Sequence, residues 1–123
     1  MIKVYIASAY RTGDSALNVR RQMDVANKLI NDGFNPFIPL LYHFQHMVHP
    51  RSHQEWLDID LEWVKICDCI LRIKGPSEGA DKEVEVAIDS GIPVFYVKYD
   101  NDLIDSMNVD NVIDEIKDHF NEW

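Results

Sequence analysis

From Ile2 onward, short apolar β-rich runs take turns with stretches of helical period, and an alternation of that kind leaves few architectures open. Residues 2–7 (IKVYIA) read as a buried first strand. Residues 15–32 read as a helix: Ala16, Val19, Met23, Ala26 and Ile30 recur at steps of three and four, and Gly33 supplies the stop. Residues 35–40 are a short extended piece whose two prolines limit ladder bonding. Residues 41–51 read as a loop, long for so small a domain, and such loops in compact α/β domains are often lids. Ser52-His53-Gln54-Glu55 is a capping box that opens a helix running to about Ile66. Residues 69–73 form a third strand, and residues 75–79 a turn into a helix ending near Ser90-Gly91. Residues 92–97 form a fourth strand. A last helix runs from about Asp105 to the C-terminus, with Val109, Val112, Ile116 and Phe120 on one face. The expected fold is a single α/β domain over residues 1–123: a three-layer, flavodoxin-like or Rossmann-like parallel sheet with helices on both faces. In such sheets ligands bind beyond the carboxyl ends of the strands.

Composition narrows the function classes. The chain of 123 residues carries 12 basic and 21 acidic side chains, a net charge of −9. Such a surface repels a long nucleic acid, whereas a small anion needs only one local positive pocket. No apolar run is long enough for a membrane span, and the first residues lack the layout of a secretory signal. The two cysteines, Cys67 and Cys69, lie too close to staple a domain, so they are expected as buried thiols in a cytoplasmic protein.

Two carboxylates break their helical patterns. At about 100° per residue from Trp56, the apolar arc holds Trp63, Cys67, Val64, Leu57 and Leu61, while Asp58, Glu62 and Lys65 lie opposite. Asp60 falls at about 40°, inside the apolar arc. An ionised carboxylate is expensive to bury alone, so Asp60 is either tethered to backbone N–H groups or lines a cavity. In the helix after the third strand, Asp81, Lys82, Glu85 and Asp89 share a wet face. Glu83 falls at about 300° from Ala80, between Val86 and Ala87. A first-turn acid that favours the helix dipole accounts for a glutamate there but not for its apolar flanks. Two partly buried acids beside one crevice are what glycosidic cleavage requires.

After the first strand, Ser8-Ala9-Tyr10-Arg11-Thr12-Gly13 combines small residues with an anion ligand, Arg11, though an ordinary strand-to-helix loop reads the same way. Tyr5 lies within the strand and fits a core position as well. His43, His46 and His49 recur every third residue in the long loop. A shared metal would need a further ligand that nothing in the sequence demands, so neither metal nor cofactor is expected and the loop reads as a cap over a pocket.

The segments VYIASAYR, DIDLEWVKICDCIL and GPSEGADKEVEVA resemble the nucleoside 2-deoxyribosyltransferase-like superfamily, and most closely its 2′-deoxynucleoside 5′-phosphate N-hydrolases and their uncharacterised bacterial and phage relatives. The resemblance implies an enzyme that cleaves the N-glycosidic bond of a (deoxy)nucleoside 5′-monophosphate, by hydrolysis or base transfer. It implies Glu83 as nucleophile, Asp60 as the acid of the D-L-E-W-like helix and Tyr5 close to the nucleophile. Ser8 and Arg11 fall in its first phosphate- or ribose-binding loop. Ser77 stands where the transferases carry an aspartate for the sugar 5′-hydroxyl and the nucleotide hydrolases a serine for the 5′-phosphate. Gly79 of the same turn and His43 of the long loop complete the substrate-contacting set. A homodimer or higher homo-oligomer is implied too, because that family builds its site across a dimer. The other reading is a non-catalytic nucleotide-binding or signalling module on the same fold.

Overall fold

The computed structural model describes residues 1–100 and 103–121. Strands β1 (Lys3–Ala7), β2 (Asn35–Phe37), β3 (Cys69–Ile73) and β4 (Val94–Val97) form one parallel sheet in the order β2-β1-β3-β4. Helices α1 (Ser15–Asn31) and α5 (Ser106–Phe120) cover one face. Helices α3 (His53–Ile66) and α4 (Glu78–Asp89) cover the other. This is the expected flavodoxin-like α/β layout. A short antiparallel ribbon, β5 (Tyr99–Asp100) with β6 (Leu103–Ile104), was not legible in the sequence. The expectation that the last helix reaches the C-terminus falls partly on Glu122 and Trp123, outside the described residues. Among the described residues no helix is long and apolar enough to cross a membrane.

Strand alternation sorts the core into two layers. Val4, Ile6, Cys69, Leu71 and Ile73 pack with Val25, Ala26 and Leu29 of α1 and with Val109, Val112, Ile113 and Ile116 of α5. Tyr5, Ala7 and Ile70 pack with Val64 and Cys67 beside α3 and with Ala80 and Ala87 of α4. Cys67 and Cys69 are buried free thiols, pushed up to about 11 and about 12 chiefly by burial. Because β1 leads toward β2 and β3 toward β4, their outgoing loops part over opposite faces. That divergence opens a crevice at the C-terminal ends of β1 and β3.

Four local expectations are corrected. In α1 the buried face holds Asn18, Val19, Gln22, Val25, Ala26 and Leu29, while Ala16, Met23 and Ile30 face solvent. The face is turned because it is partly polar. Gln22 Nε2 donates to the Ile6 carbonyl and to Ser8 Oγ, and Asn18 Nδ2 donates to the carbonyls of Tyr10 and Thr12. Counting apolar residues alone misses such a face. The long loop is helical over much of its length: a 3-10 turn at Pro39–Leu41 leads into α2 (Tyr42–Val48). A helix this short is marginal alone. It is anchored by Tyr42 and His46 packing on Trp56, with Trp56 Nε1 donating to His46 Nδ1 at 2.8 Å. In α4 the helical wheel sets Ile88 about 80° from Ala80, next to the apolar arc, yet it is exposed, outside the buried stripe of Ala80, Glu83 and Ala87. In α3, Trp63 stays 38% exposed although it stacks on Phe37 with centroids 4.6 Å apart.

Candidate active site

A cavity of about 440 Å³ occupies the crevice on the α3/α4 side. Four segments build it: the loop after β1, helix α2, the first half of α3, and the turn into α4 with that helix's first half. Ser8, Arg11, His43, Asp60, Ser77, Gly79 and Glu83 all line it. Tyr5 lies beneath the wall and is fully buried.

Glu83 reaches the cavity because α4 starts at an N-cap set by Ser77, whose Oγ accepts from Ala80 N at 3.1 Å. That start phases the helix so that Glu83 is 6% exposed while Glu85 stands in solvent. Tyr5 projects from β1 onto the same face and donates its hydroxyl to Glu83 Oε2. Burial raises the Glu83 carboxyl to about 8. The hydrogen bond from Tyr5 opposes that rise, the Asp60 carboxylate adds to it, and the Arg72 guanidinium draws it down. Burial, then the neighbouring acids, hold the Tyr5 phenol well above its ordinary value, so it remains a donor.

Asp60 is the second acid. It is half-buried in the cavity wall, and its Oδ1 is shielded from solvent with no hydrogen-bond partner among the described residues. The backbone tether allowed by the sequence is therefore not made at that oxygen. Burial raises this carboxyl to about 7. A shielded carboxyl oxygen without a donor asks for one from a bound molecule.

The opposite wall is basic and polar. Ser8 Oγ accepts from Gln22 Nε2 at 2.9 Å, so α1 holds the first loop in place. Arg11 stands exposed at the mouth. His43 and Tyr10 bond to each other and link α2 to the first loop across the cavity. Gly79 lies beneath His53, whose Cε1 is 3.3 Å from the place a Cβ would occupy. Any larger residue at 79 would push the imidazole aside. Helix α4 also brings its N-terminal turn, Ser77 to Ala80, to the wall, and such turns offer unpaired N–H groups to anions.

The histidine run divides. His43 and His46 line the cavity, whereas His49 is exposed. His46 Nδ1 is taken up by Trp56 Nε1 and by Arg51 N. Among the described residues no group of three or more His, Cys, Asp or Glu side chains is arranged to hold a metal ion.

Several cavity residues escaped the sequence reading: Tyr10, Tyr42, Arg51, His53 and Trp56. Arg51 and His53 flank the capping-box serine, so the start of α3 supplies a guanidinium and an imidazole as well as the helix carrying Asp60. Only the placement of Asp60 near the cavity could have pointed to them. The aromatic side chains look like ordinary core in the sequence, and only the packing of α2 against α3 turns them toward a ligand.

These features define a flavodoxin-like α/β domain with an acid-walled crevice at its strand ends. The model of a family described as a domain of unknown function (DUF7768) matches residues 2–97, and the chain belongs to that family. No curated protein matches its sequence. Among solved structures it is similar to a 2-deoxyribosyltransferase of the psychrotolerant bacterium Bacillus psychrosaccharolyticus, with 23% identity and a TM-score of 0.56 over 89% of this chain and 82% of that one. That protein is described as a biocatalyst for the synthesis of antiviral and antitumoral nucleosides. At this identity the likeness establishes the shared fold.

Proposed function

We propose that this protein cleaves the N-glycosidic bond of a (deoxy)nucleoside 5′-monophosphate, with Glu83 as nucleophile. The observation that carries the reading is the pair of acids on one cavity: Glu83 held by the buried Tyr5 hydroxyl, and Asp60 with an unpartnered, shielded oxygen. A burial-raised carboxylate is a better nucleophile than a solvated one, and the fixed phenol aims it.

In the first step Glu83, in its ionised form, attacks the anomeric carbon. The carbon–nitrogen bond breaks, its electron pair leaves with the base, and a sugar ester of Glu83 forms. Asp60 contacts the sugar or the departing base and, when protonated, gives the base its proton. Water, or a second base in a transferase, then attacks the same carbon. Its proton returns to Asp60 and the Glu83 carboxylate leaves, with net retention at the sugar.

The phosphate preference rests on charge. Arg11 and Arg51 line the cavity in a chain of net charge −9, so two guanidinium groups are gathered where the rest of the surface would repel an anion, and His43 and His53 add ring nitrogens beside them. Ser77 leaves its hydroxyl proton for a phosphate oxygen while its Oγ caps α4. Tyr10, Tyr42 and Trp56 offer rings to a base. The similarity to a 2-deoxyribosyltransferase fold agrees with this chemistry.

The test is a panel of ribo- and deoxynucleoside monophosphates and their nucleosides, with free base measured by chromatography. Release of base from a monophosphate faster than from its nucleoside is the expected result. Tight nucleotide binding with no base released would establish a binding module instead.

A further inference from the structure

Strand β3 reads CILRI, and its fourth residue places a charge in the buried middle of the sheet. Arg72 is 5% exposed, between Ala7 of β1 and Tyr96 of β4. By strand alternation it shares the face of Ile70, the face covered by α3 and α4. A buried guanidinium is costly unless its donors are satisfied, and this one has found acceptors on the turn it precedes. It donates to the carbonyl of Ile73, to the carbonyl of Gly75 at 2.7 Å, and to Asp81 Oδ1 at 3.1 Å. One side chain thus ties the end of β3, the apex of the turn and the first turn of α4 together. The turn needs that brace. Gly75 sits at φ 147°, a conformation that favours glycine, and a Cβ there would lie 3.5 Å from the Tyr99 hydroxyl.

The turn so braced carries Ser77 and Gly79, and the helix it launches carries Glu83. Asp81, with its side chain 75% exposed, is too solvated to neutralise the guanidinium fully. The positive charge is therefore felt in the wall behind Glu83, where it favours the ionised carboxylate.

We propose that Arg72 is the positioning residue of this site: it braces the turn that delivers Ser77 and Gly79 to the cavity, and it holds a buried positive charge against the wall from which Glu83 works. It touches no substrate and acts through Glu83 and the turn. This rests on the glycosidic reading above for its catalytic consequence, but not for its effect on Glu83.

The experiment compares wild type, Arg72→Met, Arg72→Lys and Asp81→Asn by the pH dependence of kcat/KM for base release from a monophosphate. Arg72→Met is expected to move the acid limb upward by roughly one pH unit. Arg72→Lys keeps the charge but loses the planar fork, so its limb stays in place while KM rises roughly tenfold. Asp81→Asn leaves the limb in place. A residue that merely held the fold together would lower thermal stability in both Arg72 variants and move neither the limb nor KM, and that result overturns the proposal. If Arg72→Met does not fold, Arg72→Lys decides: an unchanged KM overturns the brace, and the rise supports it. The ionisation of Glu83 is also read without substrate, from the carboxyl-carbon NMR signal that disappears in Glu83→Gln. If no base is released from any nucleotide, the glycosidic reading fails. An upward shift of that signal's midpoint in Arg72→Met still supports the role of Arg72, and an unshifted midpoint overturns it.

Discussion

The α1/α5 face of the sheet and the α3/α4 face are laid down by the same strands, residue by alternate residue, yet they differ in kind. On the first, buried Val, Ile, Leu, Phe, Ala and Cys side chains close against two helices, and the buried amides of Asn18 and Gln22 donate to backbone carbonyls. On the second, a smaller apolar cluster surrounds Tyr5, Glu83 and Arg72, with Asp60 at its edge and a cavity beyond it. Apolar burial stabilises at about 25 cal/mol per Å², whereas each ionisable group on the second face opposes folding unless it is paired or neutral. The first face holds the molecule together. The second gives up stability to hold two burial-raised carboxyl groups in the wall of a cavity, the kind of perturbed pair that functional sites use.

The largest difference between the faces is expected in activity. Glu83→Gln keeps the shape and the Tyr5 contact but removes the proposed nucleophile. Base release should fall by more than about 1000-fold, or roughly 4 kcal/mol, while nucleotide binding and the fold persist. Base release above a tenth of wild type would end the nucleophile assignment.

The converse substitution lies in the other layer. Leu29 is fully buried between α1 and the sheet. Leu29→Ala should cost about 3 kcal/mol in denaturant unfolding, with base release per folded molecule unchanged. A loss of turnover in the folded fraction would show that the two faces are coupled.

A third expectation follows from protonation. The Glu83 carboxyl is at about 8 in the folded chain against an ordinary value of 4.5. Between those values the unfolded chain has released the proton and the folded chain still holds it, so the contribution of Glu83 to stability is lost as pH rises. Glu83→Gln should therefore match wild type in stability at pH 4 and exceed it by roughly 5 kcal/mol at pH 9. Melting curves of the two proteins at both pH values check this; equal stability at pH 9 would mean that the carboxylate is solvated.

The smallest effect is expected two residues away. Glu85 is exposed on α4, within 3.6 Å of Lys82, and Glu85→Gln should change stability by less than about 0.5 kcal/mol and leave base release as it is. A large loss here together with a silent Glu83→Gln would invert the assignment of the α4 faces.

The α4 pattern was legible because Glu83 and Glu85 differ by about 200° on a helical wheel, and one apolar arc suffices to separate them. The same reasoning failed for α1, where Asn18 and Gln22 are buried in order to hold the first loop, and no hydropathy count registers a buried amide that has found its partners. It failed for α2 as well, since Phe44, Met47 and Val48 point outward and the helix is held by rings on α3.

The sequence by itself determined the alternation of strands and helices, the capped start of α3, and the two acids that break their apolar arcs. These are local signals, carried by spacing within one or two turns. Only the tertiary structure decided that Tyr5 bonds Glu83 from 78 residues away, that His43 meets Tyr10 over the cavity, and that Arg51 and His53 face the same space as Ser77. Those contacts join separate elements, and their geometry is set by which strands neighbour each other and where their outgoing loops part. Periodicity within a segment carries no information about that.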